Sequence, residues 1–450
     1  MSELLGDTAI VIGAGMGGLT VAAALSEFFS HITVLDRDEL PAHHPAHRPS
    51  IAQGKHVHAL LGGGLRALEQ LFPGVGDDLG SHGAVRCQTG LDIRYDRPGF
   101  DPFPQRDLGW HSFAMSRPLI EFVVRGRVMR LSNVVLRSQC KVLEIVPTAD
   151  MIAAAGVRFE DMNGVTEVLT ADLVIDASAR GVPTLTFLEA CGFSLPHETS
   201  IGVDISYATA TFTIPADAPA DWKGVLVFPD PRVASRGGLM APLEGGRWIL
   251  SVGAAHDDKP PNDHDGFMRY VGQLRTPTIY DAICHAERVG KIERFAFPAS
   301  VRRHFERLPA FPRGLLAIAD VICRFNPIYG QGMSVAAIEA VELKKLLGVL
   351  ATHADDPLSG LAPAFFAATS SLIDTPWDVA NLDFVYPKTR GARPEGFEGT
   401  LKFLSALNRL AARDPAVHKL MMEVQHLLRP NTAYREPEFL RQIAAEMALA

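Results

Sequence analysis

Thr8-Ala-Ile-Val-Ile-Gly13-Ala-Gly15-Met-Gly-Gly18-Leu, followed by Ile32-Thr-Val-Leu-Asp36, decides how this chain folds. Residues 8–12 form an apolar run of the kind that makes a buried parallel strand, and it leads directly into Gly-x-Gly-x-x-Gly. In that turn Gly13 permits the tight bend, Gly15 lets a pyrophosphate approach the backbone, and Gly18 lets the next helix pack on the strand. The pattern predicts a helix over 17–29 whose first N–H groups and positive dipole end point at phosphate. A second strand then ends in Asp36, where an acid hydrogen-bonds an adenosine ribose. The glycine pattern alone is a weak signal and also fits a turn without a ligand. Framed by two strands, a helix and a spaced acid, it reads as a dinucleotide-binding βαβ unit.

The rest of the chain sets bounds on that unit. With 450 residues it has room for two or three domains. A net charge of -8, with no block of Lys or Arg, argues against a nucleic-acid binder. Cys87, Cys140, Cys191, Cys284 and Cys323 are scattered without a Cys-x-x-Cys pair, which fits reduced thiols in a cytoplasm and no thiolate zinc site. The first apolar stretch lacks a basic flank and a cleavage site, so it reads as strand and helix rather than a signal peptide. No run of 18 apolar residues predicts a membrane span.

Along the chain, 38–55 is a long His- and Pro-rich loop, and 57–71 reads as a helix. Segment 88–114 is aromatic and loop-like, and 117–131 reads as a helix with Pro118 in its first turn. Stretches 134–145, 153–160 and 165–169 suggest a small antiparallel sheet, and 172–177 another buried parallel strand. From about 200 the pattern changes to alternating strands at 205–214, 225–228, 238–242 and 248–253, an antiparallel sheet inserted in the α/β frame. The frame returns at 314–320, followed by a long helix over 334–350. Residues 361–450 read as helices broken at Pro376, Pro387, Pro394 and Pro430.

A second stretch separates a flavin from a nicotinamide: Ala319-Asp320-Val-Ile-Cys-Arg-Phe-Asn326-Pro327-Ile-Tyr-Gly330-Gln331-Gly332-Met333-Ser. An acid at a strand end can hydrogen-bond the ribityl hydroxyls of a flavin. The Pro-x-x-Gly-Gln-Gly turn opens a helix whose N-terminus would face the flavin pyrimidine edge and stabilise the anionic reduced form. Glycines there leave bare backbone against an isoalloxazine. A turn and helix that merely complete the sheet are the alternative.

At these residues the chain resembles the flavoprotein monooxygenases of the aromatic-hydroxylase type, and more closely their squalene- and polyether-epoxidase-like branch. The resemblance runs through Gly13–Gly18, Asp36-Arg37, Arg48-Pro-x-x-x-Gln-Gly-x-His56-x-His58, Ser116-Arg117-Pro-Leu-Ile-Glu121, Asp176-Ala-x-x-Arg180-Gly181 and the block from Asp320 to Ser334. It extends to Pro376-Trp377-Asp378, Asp383 and Tyr386-Pro387. It implies a Rossmann-type FAD-binding domain, an inserted antiparallel substrate sheet and a helical C-terminal segment. The corresponding division is 1–88, 117–190 and 291–355 for the discontinuous FAD domain, 89–116 and 191–290 for the substrate domain, and 356–450 for the tail.

By position, the resemblance puts Gly13, Gly15 and Gly18 on the pyrophosphate, Asp36 on the adenosine ribose, Arg37 beside adenine and the Val142 backbone against adenine. It puts Arg48 and Arg117 on the pyrophosphate or ribityl side, Asp320 at the pyrophosphate–ribityl region, and Gly332 and Met333 under the flavin ring. It further implies hydride from NAD(P)H, or electrons from a flavin reductase, then oxygen from O2 passed through a flavin C4a-(hydro)peroxide to a hydrophobic substrate. Because the flavin carries the chemistry, no acid–base pair is required, and none is evident. Three positions depart from the pattern. Asp36 stands for the usual Glu, and Ala319 and Ala179 stand for glycines; each alanine costs about 1 kcal/mol or more where φ must be positive.

Other constellations point elsewhere. His56-x-His58 has a metal-ligand spacing but no accompanying Cys or carboxylate cluster, so His43, His44, His47, His56 and His58 read as loop histidines or as lining a flavin face. Lys223 beside Trp222 is the one hint of a flavin halogenase, without that family's Trp-x-Trp-x-Ile-Pro. Tyr207, Phe212, Phe228, Met240 and Trp248 are candidates to face a substrate, against the alternative of core. The Met/Leu-rich stretch 419–428 could meet a membrane or pack between domains. A flavin-dependent dehydrogenase or reductase and a non-catalytic flavin binder remain as other readings.

Overall fold

A computed structural model describes residues 4–353 and 356–449. Strand β1 (Gly6–Ile12), helix α1 (Met16–Leu25) and strand β2 (Phe29–Leu35) form the leading βαβ unit. They sit in a five-stranded parallel sheet ordered Leu315–Ala317, Leu173–Asp176, β1, β2, Val134–Arg137. Ala9 and Val11 of β1 enter one core and Ile10 and Ile12 another, which is why the strand is apolar without alternation. Helix α1 is buried almost all round, packed between the sheet and the helices Arg117–Val128 and Gly332–His353.

A seven-stranded sheet stands beside this frame, ordered Cys323–Arg324, Arg288–Arg303, Glu198–Thr213, Arg247–Ala255, Gly237–Leu243, Gly224–Val227, Ile93–Asp96. Its strands pair antiparallel except at the edge, where Ile93–Asp96 runs parallel to Gly224–Val227. Ala208, Phe212, Met240, Trp248 and Leu250 turn to one face, into a core closed by Phe267, Tyr270 and Ile279 of two short helices. Residues at the intervening positions, Tyr207, Thr209 and Ser251, turn to the opposite face.

Four expectations are corrected. The 134–145 stretch is two strands. Gln139 bends the chain at φ +57, so Val134–Arg137 joins the parallel sheet while Lys141–Pro147 starts a separate antiparallel sheet with Ala154–Glu160 and Thr166–Thr170. Segment 88–114 contains the edge strand Ile93–Asp96. The predicted 57–71 helix is shorter, Gly62–Leu71, leaving 57–61 outside it. Pro376 does not break its helix, which runs Leu361–Ala380. Burial of Phe365 and Phe366 against Phe305 and Phe311 carries it through a position where Pro costs about 3 kcal/mol. Met421 and Met422 of the 419–428 stretch are buried with Phe103 and Leu108, and no helix among the described residues is long and apolar enough to cross a membrane.

Candidate functional site

The glycine turn lies at the carboxyl end of β1. Gly13 has φ +102, and a Cβ there would stand 2.8 Å from the Ala177 carbonyl oxygen. A Cβ on Gly18 would stand 1.7 Å from the Gly13 oxygen, so both glycines are demanded by the protein's own packing. A Cβ on Gly15 meets nothing within 4 Å. Gly15 is the N-cap of α1, so open space lies directly before the free N–H groups of that helix.

Asp36 is buried at the end of β2. Its Oδ2 accepts the Ala14 N–H at 2.6 Å and Arg48 Nη1 at 3.2 Å, and its Oδ1 accepts the Asp38 N–H at 2.8 Å. The carboxylate thus stabilises the glycine turn, and a ribose hydroxyl would share an oxygen with backbone N–H. Arg48 continues to Glu121 at 3.4 Å, and Glu121 to Arg117 at 2.7 Å. Four charges of alternating sign therefore join β2, the His-rich loop and the Arg117–Val128 helix in a poorly solvated place. Such a chain adds little net stability, because the cost of desolvating its charges offsets their attraction. Arg48 Nε is buried without a hydrogen bond. Gln139 and Cys140 donate their N–H groups to the Asp38 and Asp36 carbonyls, which places the start of the Val142 strand beside Asp36. Arg37 is exposed next to it.

The second module meets the first at close range: a Cβ on Gly17 would lie 3.0 Å from the Ala319 Cβ. Ala319 and Ala179 adopt φ +59 and +66, so both alanines sit in the left-handed region that favours glycine. Glu339, fully buried on the Gly332–His353 helix, accepts the Ala319 N–H at 2.7 Å. Burial pushes its carboxyl up to about 8, with the negative Asp320 adding to the shift. The Asp320 carboxyl is raised by burial against the opposing fields of Arg117 and Arg324, and no side chain or backbone group among the described residues is hydrogen-bonded to it. Beside it, a Cβ on Gly332 would meet only Asp320 Oδ1, at 3.7 Å. Gln331 Oε1 and Ser178 Oγ are buried without partners, while Met333 is buried.

An FAD fits these residues. A cradle open at Gly15, the Asp320 carboxyl beside a bare helix start at Gly332, and orphaned polar atoms at Gln331 and Ser178 supply complementary groups for a nucleotide and a flavin.

Extended residues 56–61 run between the Gly-Gln-Gly turn and the seven-stranded sheet. A Cβ on Gly330 would touch Ala59 at 2.8 Å, and Ser334 Oγ accepts the Leu61 N–H at 3.0 Å. His56 Nδ1 lies 2.7 Å from Thr209 Oγ1, which lies 2.6 Å from Ser251 Oγ; Ser251 in turn accepts the Val57 N–H at 3.2 Å. Tyr207 packs edge-on to His56, with Phe295 beside both. Burial lowers His56 to about 4 and His58 to about 3, so both imidazoles are neutral at pH 7. Of the five aromatic or Met candidates, Tyr207 faces this side. Phe212, Met240 and Trp248 take the alternative of core, behind the sheet, because strand alternation sends them to the opposite face. Phe228 lies under the Arg97 guanidinium at 4.2 Å.

Lys223 is half exposed, donating to the Arg86 carbonyl at 2.9 Å and paired with Asp92 at 3.0 Å. No group of three His, Cys, Asp or Glu among the described residues could hold a metal, and His43, His44 and His47 are exposed. Glu121 and Gln331 stood within quoted motifs without a role of their own, and Glu339 and the Thr209–Ser251 pair were not singled out from sequence. A signal existed for two of them: Glu121 follows Arg117 by one helical turn, and Glu339 is a lone acid in the apolar run Val335-Ala-Ala-Ile-Glu-Ala340.

A parallel sheet with a glycine turn at its first strand, a second glycine turn at a long helix, and a seven-stranded sheet alongside is a fold shared with solved flavin-dependent enzymes. The flavin-dependent brominase Bmp2 superposes with a TM-score of 0.69 at 14% identity over 100% of both chains. The p-nitrophenol 4-monooxygenase PnpA of Pseudomonas putida DLL-E4 does so with a TM-score of 0.64 at 16% identity over 96% of this chain and 100% of that one. By sequence the chain is 32% identical to Protein Rv3254 of Mycobacterium tuberculosis (strain ATCC 25618 / H37Rv) over 355 residues, 76% of this chain and 73% of the other. The chain belongs to the same family as that mycobacterial protein. No family model matches it.

Proposed function

We propose that this protein is an FAD-dependent monooxygenase that inserts one oxygen atom from O2 into a hydrophobic small molecule, with alkene epoxidation first and aromatic hydroxylation second. The observation that carries the reading is the contact of Gly17 with Ala319. It brings the two glycine modules together at one end of the parallel sheet, each opening a helix N-terminus beside unsatisfied polar groups. In this reading the 13–18 turn holds the pyrophosphate and the Asp36 and Val142 region receives the adenosine. Arg48 and Arg117 complement the phosphates, and Asp320, Gly332 and Met333 receive the ribityl and ring. When bound, FAD supplies the redox chemistry, accepting a hydride and activating O2. The chain's own residues bind and orient it. His56, Tyr207 and Phe295 offer a neutral, largely apolar wall that excludes water from the reacting space. NAD(P)H serves as a transient donor, or a flavin reductase supplies the electrons. The division into an FAD-binding unit, a substrate sheet and a helical tail, a cytoplasmic location and the epoxidase-like branch belong to the same proposal.

The likeness to a brominase favours a halogenase as a second reading, although Lys223, the lysine that hinted at it, is tied to Asp92 and Arg86. The test is to purify the chain with FAD and record its visible spectrum. NADH or NADPH is then added anaerobically, followed by air with alkene and phenol panels, with and without bromide. A flavin band at about 450 nm that bleaches on reduction, and O2 uptake matched by oxygenated product, is the expected result. Brominated product would move the assignment to halogenase. Substrate oxidation without incorporation of oxygen would move it to dehydrogenase. Failure to bind FAD would overturn it.

A further inference from the structure

We propose that Asp383, contributed by the C-terminal segment, is the positioning residue of the flavin-facing turn Asn326–Gly330. The inference rests on the flavin reading above. Asp383 is 1% exposed, and both of its oxygens are used by that turn. Tyr329 Oη donates to Oδ1 at 2.7 Å and Asn326 Nδ2 donates to Oδ2 at 3.0 Å. Asn326 Oδ1 accepts the Ile328 N–H at 3.3 Å, so the same side chain shapes the bend that reaches Gly330 at φ +66. One carboxylate therefore grips both ends of the turn that delivers Gln331 and Gly332 to the helix start.

The segment that carries Asp383 is itself anchored. Thr389 Oγ1 donates to the Asp383 carbonyl at 2.7 Å, and Arg390 exchanges two backbone hydrogen bonds with Gly202 of the seven-stranded sheet while pairing with Asp204. Asp383 has no cationic partner among the described residues. A buried carboxylate without one is a costly choice for stability alone, whereas charge-assisted hydrogen bonds hold two donors in fixed geometry. The titratable groups that face it are Tyr329 from the turn and Tyr386 from its own segment. Both are raised by burial and by Asp383 and remain neutral at pH 8. Burial lifts Asp383 itself to about 6, against the pull of Asn326 and Tyr329. Below that pH the protonated carboxyl loses part of its acceptor capacity and the turn loosens; above it both donors are held.

The experiment uses the full chain and FAD itself as the probe, with affinity read by quenching of flavin fluorescence from pH 5 to pH 8. Wild type is expected to bind more weakly as pH falls through about 6. At pH 8 Asp383→Asn should bind about tenfold more weakly, the loss of one hydrogen bond to a charged group. The variant should also lose the Asp383 part of the pH dependence, which the difference between the two profiles separates from titration of Asp320. Tyr329→Phe, which removes one donor and keeps the carboxylate, should weaken binding several-fold, and it decides the matter if Asp383→Asn does not fold. Variants that match wild type in affinity and pH profile would overturn this inference and leave the flavin reading intact. A wild-type chain that takes up no FAD would overturn the flavin reading and this inference with it.

Discussion

Ala319 and Glu339 show how a single side chain can offset the cost of another. An alanine at φ +59 is strained by about 1–2 kcal/mol relative to glycine, and its N–H, turned inward, needs an acceptor. Glu339 is that acceptor. Glu339→Leu should be about 1–3 kcal/mol less stable than Glu339→Gln, because Leu leaves the Ala319 N–H unpaired while Gln keeps an acceptor oxygen. The two are compared by urea unfolding, and a Leu variant as stable as the Gln variant would remove Glu339 from this role. The pH dependence has a definite sign. The folded carboxyl sits at about 8 against an unfolded value of 4.5, so the folded state binds the proton more tightly. Its contribution is fully present below about 4.5 and is lost as pH rises towards 8. Glu339→Gln should therefore gain on wild type between pH 5 and pH 8. Asp320→Ala, by contrast, removes a carboxyl that burial holds at a raised pKa, and should weaken FAD retention without lowering the stability of the apoprotein.

At the scale of elements, the glycine turn separates packing from binding within six residues. Gly18→Ala drives a Cβ into the Gly13 carbonyl and should cost at least about 2 kcal/mol, because β1 and α1 must part to admit it. Gly15→Val places a Cβ that meets nothing within 4 Å, so circular dichroism and thermal unfolding should match wild type while FAD binding is lost. A Gly15→Val protein that retains FAD would dismiss the cradle. The first element was legible because its causes are local: an unbroken apolar strand, a turn only glycine can make, and an apolar helix. The strand Ile93–Asp96 was not. Four residues carry little periodicity, and its partner Gly224–Val227 lies far along the chain. The split of 134–145 was hidden for a similar reason, since Gln139 at φ +57 carries none of the glycine signal that announces such a bend.

At the scale of the whole molecule, a ligand that bridges two modules should stabilise both together. FAD at a hundredfold excess over its Kd should raise stability by about 2.7 kcal/mol, seen as a concentration-dependent rise in Tm. Riboflavin, which lacks the diphosphate and adenosine, should raise it less. Equal shifts with both would mean that the 13–18 turn takes no part in binding.

The sequence by itself determined the class of fold. Glycine spacing, apolar runs and the change to alternating strands are properties of neighbouring residues, and backbone sterics translate them directly into a parallel frame with an attached antiparallel sheet. It also marked Ala179 and Ala319 as departures from glycine, and both take positive φ. Only the tertiary structure decided which side of the sheet Tyr207 and Phe212 face. Only it showed that Pro376 stays within a helix, that Arg48 is held between Asp36 and Glu121, and that Asp383 closes on Asn326 and Tyr329. Those pairings join residues distant in sequence, and their energies arise from burial and from satisfying polar groups away from water, which no local pattern encodes.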